Sequence, residues 1–230
     1  MNRMLDVATS MFTTVSRLGA GVQARKPARR PAQMLELYEF ESCPFCRKVR
    51  DALTELDLEV MVYPCPKGGT VFRPTAVALG GKAQFPYLVD PNTSTRMYES
   101  DDITAYLFAT YGGREPGFLL RGPVATASSM LASAFRPTVG SHARPSRRPA
   151  KPLELWSFEA SPFCRIARET LCELELPYLL HNVGKDGAGR QALIARAGKM
   201  MVPYLADPNS GREMFESAEI RQYLNDTYGA

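Results

Sequence analysis

Leu35-Glu-Leu-Tyr-Glu-Phe-Glu-Ser-Cys-Pro-Phe-Cys46 alternates as a strand as far as Phe40, then passes into a helical pattern behind Pro44, with Phe45, Val49, Leu53 and Leu56 on one face. A period of two giving way to one of 3.6 marks a strand running into a helix. Proline suits the first helical position, where its missing N–H would have no partner anyway. Leu153-Glu-Leu-Trp-Ser-Phe-Glu-Ala-Ser-Pro-Phe-Cys164 repeats the pattern. Laying residues 35–112 over 153–229 aligns Cys46 with Cys164 at an offset of 118, and Pro86 with Pro203 at an offset of 117. The second copy is therefore one residue shorter. Identities cluster in LELxxFExxPFCR, PYLxDPN, ES..I..YL and TYG, a clustering that marks a duplication. The likeness reaches upstream, since Arg29-Arg30-Pro31-Ala32 precedes the first copy as Arg147-Arg148-Pro149-Ala150 precedes the second.

Within the first copy, further strands are expected at Glu59 to Tyr63, Tyr87 to Val89 and Arg96 to Tyr98. Helices are expected around Pro74 to Leu79 and from Ser100 to Tyr111. The order βαβαββα, with a parallel crossover first and an antiparallel pair last, is the thioredoxin-like order. Apolar stretches at Met4 to Leu18 and Phe118 to Phe135 read as short amphipathic leader helices. The expected organisation is a leader over 1–33, a thioredoxin-like domain over 34–112, a linker over 113–152 and a second such domain over 153–230. The basic, proline-rich runs Arg25 to Arg30 and Arg144 to Lys151 read as solvated tethers, without the interleaved aromatics that would stack on bases, so nucleic acid is not expected as a partner.

Cys43 stands where the strand yields to the helix, so unpaired backbone amides and the positive helix end favour its thiolate. Arg47 and Lys48 add positive potential if they lean back toward the turn. Cys43 is the candidate nucleophile, and Cys46, three residues on, the candidate resolving thiol. The alternatives are a metal or iron-sulfur role and plain packing. A zinc site would need two further ligands, but the histidines are His142 in the linker and His181 in the other copy, and Cys65 alone is one thiol short, so no metal site is expected. In the second copy Ser161 replaces the first cysteine, which excludes dithiol cycling there. Its hydroxyl either donates to a bound thiolate or is simply the helix N-cap. Cys172, two turns beyond Cys164, reads as core.

Phe85-Pro86 and Val202-Pro203 precede the third strand of each copy, where a cis bond is expected, leaving the backbone groups of Phe85 and Val202 free to pair with an extended peptide ligand. Glu99-Ser100 and Glu216-Ser217 precede the last helix, where the serine and first-turn amides suit a carboxylate and the glutamate an ammonium group.

CPFCRKVR, FPYLVDP and YESDDI resemble the N-terminal, glutathione-binding domain of glutathione transferases and the related glutaredoxins. With SPFCR, VPYLADPN and MFESAEI, the whole is similar to the two-N-domain glutathione transferase group. The resemblance implies glutathione as cosubstrate, thiol or disulfide substrates, Cys43 and Ser161 at the catalytic positions, and Phe85, Pro86, Glu99, Ser100, Val202, Pro203, Glu216 and Ser217 as glutathione contacts. The readings are a glutathione-dependent thiol-disulfide oxidoreductase acting through the first copy, a glutathione transferase or peroxidase activity centred on the second, or a non-catalytic ligand- or iron-sulfur-binding module. The all-helical domain that follows in ordinary glutathione transferases is not expected here, which puts conjugation of bulky electrophiles in doubt.

The 230 residues, 45% hydrophobic and 23% charged, can bury one large core or two small ones. Five cysteines with one close pair suit a reducing compartment rather than a disulfide scaffold, and no run approaches a membrane span. A cytoplasmic location is expected, or a plastid one if the first 30 residues act as a transit peptide. Homodimerisation is left open.

Overall fold

The structure is a computed structural model that describes residues 3–230; the first two residues of the expected leader lie outside the described residues. In chain order the first half comprises α1 (Arg3–Val15), β1 (Leu35–Glu39), α2 (Pro44–Glu55), β2 (Val60–Pro64), α3 (Arg73–Gly80), β3 (Tyr87–Asp90), β4 (Thr95–Met97) and α4 (Ser100–Leu107), which runs into a π-helical turn (Phe108–Gly112). The second half comprises α5 (Gly122–Ala134), β5 (Leu153–Ser157), α6 (Pro162–Glu173), β6 (Tyr178–Asn182), α7 (Gly189–Ala197), β7 (Tyr204–Asp207), β8 (Arg212–Phe215) and α8 (Ser217–Tyr228). Each copy thus has the βαβαββα order, and each is preceded by a helix. No all-helical domain occurs among the described residues.

The copies are fused. Their strands form one eight-stranded sheet in the order β4-β3-β1-β2-β6-β5-β7-β8. The seam is an antiparallel pairing of β2 with β6, Met61 opposite Leu179 and Val60 opposite Leu180. Met61 and Leu179 are equivalent positions of the repeat, so the same strand meets itself across a pseudo-twofold axis. Pairing in this way removes the exposed edge that each copy alone would present. Leu37, Val49, Leu53 and Val60 of the first copy and Leu155, Leu171 and Leu180 of the second belong to one continuous buried core.

The repeated PYLxDPN and TYG segments have a structural cause. Asp90, fully buried at the end of β3, accepts hydrogen bonds from the Tyr106 hydroxyl at 2.6 Å and from the Tyr111 hydroxyl. Asp207 accepts from Tyr223 at 2.5 Å and Tyr228 at 2.6 Å. Burial alone would raise the Asp90 carboxyl, but the bonds from Tyr106, Tyr111 and Asn92 hold it below its ordinary value. Each aspartate ties the hairpin to the closing helix.

The leader helices exchange partners: α1 packs on α6 of the second copy and α5 on α2 of the first. Ser10 donates to the Pro162 carbonyl at 2.8 Å, and its counterpart Ser129 donates to the Pro44 carbonyl at 2.6 Å. The expectation of solvated tethers is corrected here. Arg29 N–H donates to the Tyr111 carbonyl, Arg30 pairs with buried Asp57 at 2.7 Å, and Arg144 pairs with Glu173 at 2.9 Å. The runs are surface-exposed but pinned, because the helices that they follow have crossed to the opposite copy. No helix among the described residues is long and apolar enough to cross a membrane.

Candidate functional site

Cys43 is the N-cap of α2, and its sulfur accepts a hydrogen bond from the Cys46 N–H at 3.3 Å. The thiol lies 3.9 Å from the Phe85 carbonyl. Phe85-Pro86 is a cis bond, and Glu99, at φ 67°, enters α4 in the left-handed region ahead of Ser100. These elements converge on a cleft of about 490 Å³ lined by Phe40, Cys43, Phe45, Phe85, Pro86, Glu99 and Ser100. The structure therefore gathers the expected residues of the first copy, with Cys46 fully buried behind Cys43.

Burial alone would raise the Cys43 thiol, but hydrogen bonds from Cys46 and from the Cys46 and Phe45 N–H groups bring it below its ordinary value. Cys46 moves the other way, raised by burial and then by its bond and charge interaction with Cys43. Within the pair, ionisation is thus favoured at Cys43 over Cys46. Alkylation by iodoacetamide is expected to modify Cys43 first, with a rate midpoint below the ordinary cysteine pKa of about 8.5. A rate still rising steeply above that pH, or faster labelling of Cys46, would contradict the assignment.

Arg47 and Lys48 do not lean toward the sulfur, contrary to the expectation. Arg47 reaches Glu159 of the second copy at 3.2 Å, and Lys48 reaches Asp101 at 2.6 Å and Thr126 at 2.9 Å. A helix side chain covers the turn N-terminal to its own Cα only if nothing stronger draws it elsewhere, and here carboxylates do. The cause of the lowered thiol is the cap geometry.

Two features went unread in the sequence. Arg73 at the start of α3 donates to the Cys65 and Pro66 carbonyls at 3.1 and 2.7 Å, and its guanidinium lies 4.8 Å from the Phe85 ring centroid, adding positive charge to the cleft wall. Its counterpart Arg190 makes the same pair of bonds to Val183 and Gly184, a recurrence that could have marked both. The second feature is a buried charge network between the copies. Glu159 pairs with Arg47 at 3.2 Å and with Arg50 and Arg168 at 2.8 Å each, while Glu41 pairs with Arg168 at 3.0 Å and with Arg50 at 3.4 Å. Arg50 also pairs with Glu39. The glutamate and two arginines retained in both copies of the FExxPFCR motif and the helix behind it were the available signal.

In the second copy Ser161 caps α6, its hydroxyl oxygen accepting from the Cys164 N–H at 3.2 Å. Val202-Pro203 is likewise cis, and Glu216, also at φ 67°, leads into Ser217 and α8. The cap reading of Ser161 is thereby observed; accepting one bond leaves the O–H proton free to donate elsewhere. Because β2 and β6 pair antiparallel while each runs parallel to its own first strand, β1 and β5 run in opposite directions, and the two strand-to-helix turns leave the sheet oppositely.

A cis-proline loop and a capped first helix on a βαβαββα unit define a thioredoxin-like class of domain, present here twice. The family model for the glutathione S-transferase N-terminal domain matches residues 37–115 and again 155–230, so the chain belongs to that family as two tandem N-terminal domains. No curated protein and no solved structure matches the chain.

Proposed function

We propose that the first domain is a glutathione-dependent thiol-disulfide oxidoreductase. The observation that carries this reading is the Cys43 sulfur at the α2 N-cap, held toward the thiolate and opening on the cleft shaped by Phe85, Pro86, Glu99 and Ser100. In the proposed reaction the Cys43 thiolate attacks the glutathionyl sulfur of a mixed disulfide. A Cys43–glutathione disulfide forms, the substrate sulfur leaves as a thiolate and takes up a proton. Cys46 then gives up its proton and attacks the Cys43 sulfur, releasing glutathione thiolate and leaving a Cys43–Cys46 disulfide. Two glutathione molecules supply the two electrons that reopen it and depart as glutathione disulfide.

Glutathione would lie extended beside the Phe85 backbone, its γ-glutamyl carboxylate at Ser100 and the α4 amides and its ammonium at Glu99. Glu99 is exposed, and the only described hydrogen bond to its carboxylate is from the Gln84 amide to one oxygen at 2.5 Å, which leaves the other oxygen for that role. Titration calorimetry tests this: Glu99→Lys is expected to weaken glutathione binding by about tenfold or more, since it replaces attraction with repulsion at one contact. Unchanged affinity would remove Glu99 from the site. For the second domain we propose serine-type glutathione binding, Ser161 donating its free O–H proton to the bound thiolate, with Val202, Pro203, Glu216 and Ser217 as the remaining contacts; Ser161→Ala would raise the pKa of glutathione bound there.

A further inference from the structure

The duplication builds one kind of cleft twice, and only one of the two satisfies itself. Each lies where the basic run of a leader meets the loop that leaves the opposite copy's second strand. In the cleft beside the loop after β2, of about 460 Å³, the two oxygens of Glu175 accept from the Thr70 N–H at 3.1 Å and the Val71 N–H at 3.0 Å. Arg144 of that cleft is engaged by Glu173 and by Asn225, each at 2.9 Å. The counterpart of Glu175 is Asp57, at the same φ of 49° but one methylene shorter. Its Oδ2 accepts from the Ala188 N–H at 3.2 Å and from Arg30 at 2.7 Å. Its Oδ1 is buried without a donor, and the next amide of the loop, Gly189, has no acceptor among the described residues. This second cleft, beside the loop after β6, is the larger at about 660 Å³.

Three cations on the wall of the larger cleft are uncommitted. Lys26 and Lys185 have no hydrogen-bond or ion-pair partner for their ammonium groups among the described residues. Arg190 uses only its Nε, on the Val183 and Gly184 carbonyls at 3.1 and 3.0 Å. Arg30 is matched by Asp57, so these three cations against Asp186 leave a net of two positive charges. Lys26 is also the residue by which the first leader is longer, Arg25-Lys-Pro27 standing where the second has Arg144-Pro145. A phosphate monoester, with about two negative charges at neutral pH, matches that balance. No aromatic or large aliphatic side chain lines the cleft, so a nucleobase would have nothing to stack on and an acyl chain nothing to pack against. The body attached to the phosphate is therefore polar. A hydroxyl on it would supply the donor that Asp57 lacks, and a buried polar atom without a partner is the exception that calls for one.

We propose that the cleft between Lys26 and the start of α7 binds a phosphorylated sugar or polyol, its phosphate held by Lys26, Lys185 and Arg190 and a hydroxyl donating to Asp57. Titration calorimetry of the full chain with glucose 6-phosphate at low ionic strength is expected to show saturable binding, with a dissociation constant of about 1 mM or tighter, and glucose none. Lys26→Glu and Lys185→Glu are each expected to weaken it by about tenfold or more with the circular dichroism spectrum unchanged. Arg148→Glu, the same charge change on the wall of the self-satisfied cleft, is expected to leave it within about twofold. Asp57→Glu copies the cap that Glu175 makes, and is expected to weaken glucose 6-phosphate while leaving inorganic phosphate unchanged. Heats that do not saturate with the wild type, or an equal loss in Arg148→Glu and the two lysine variants, would overturn the proposal. Undiminished glucose 6-phosphate binding by Asp57→Glu would overturn the placement of the hydroxyl. Tighter binding of AMP or of a phosphoserine peptide than of glucose 6-phosphate would overturn it in favour of a nucleotide or a protein partner.

Discussion

Cys43→Ser is expected to lower reduction of a glutathionylated peptide by about 10³-fold or more, because the hydroxyl does not ionise near neutral pH and is a far weaker nucleophile than a thiolate. The molecule carries its own control for the shape of that substitution. Ser161 occupies the equivalent cap, its oxygen accepting from the Cys164 N–H at 3.2 Å where the Cys43 sulfur accepts from Cys46 at 3.3 Å. The α2 cap should therefore persist in the variant, with an unchanged unfolding midpoint, and the loss should be chemical. Cys46→Ser is expected to lose much less, since a second glutathione can resolve the Cys43 mixed disulfide from solution. A Cys43→Ser protein that keeps wild-type turnover would remove the first domain as the site of exchange.

Glu159→Gln is expected to destabilise the fold by about 3–5 kcal/mol, measured by urea unfolding at neutral pH. Glu159 is 2% exposed and pairs with Arg47, Arg50 and Arg168, so neutralising it leaves buried guanidinium charge uncompensated between the copies. The exposed pair Arg196–Glu213 is the contrast, and Glu213→Gln is expected to cost less than about 1 kcal/mol. The pH dependence has a definite sign. Burial alone would raise the Glu159 carboxyl, but Arg168, Arg50, Arg47 and Arg165 hold it far below its ordinary value. A depressed folded pKa means that the stabilisation is present above the unfolded glutamate pKa of about 4.3 and is lost as pH falls below it. The wild type and Glu159→Gln should thus converge in stability on acidification. A constant difference between them down to about pH 3 would contradict this account of the network.

The sequence patterns carried the elements and the first site further than they carried the assembly. Pro44 behind Cys43 and Phe85 before Pro86 were legible because proline restricts its own position to few backbone settings. The fusion of the copies was not, since the alternation of Val60, Met61 and Val62 specifies a strand but not which strand will pair with it. The orientation of the leader helices escaped for a related reason. Reading an amphipathic helix assumes that its apolar face goes inward, whereas α1 buries Asp6 and Arg17, which reach arginine and carboxylate partners more than 30 residues away in the chain. Arg50 and Arg168 likewise look like solvated charges until Glu41 and Glu159 are seen to be buried with them.

The most direct test of the central claim is mass-spectrometric mapping of Cys46→Ser after incubation with glutathione disulfide. With the resolving thiol removed, a single glutathionyl group is predicted on Cys43, while Cys65, Cys164 and Cys172 remain unmodified. Glutathionylation spread over Cys65, Cys164 and Cys172, or none on Cys43, would contradict Cys43 as the exchanging thiol at the α2 N-cap.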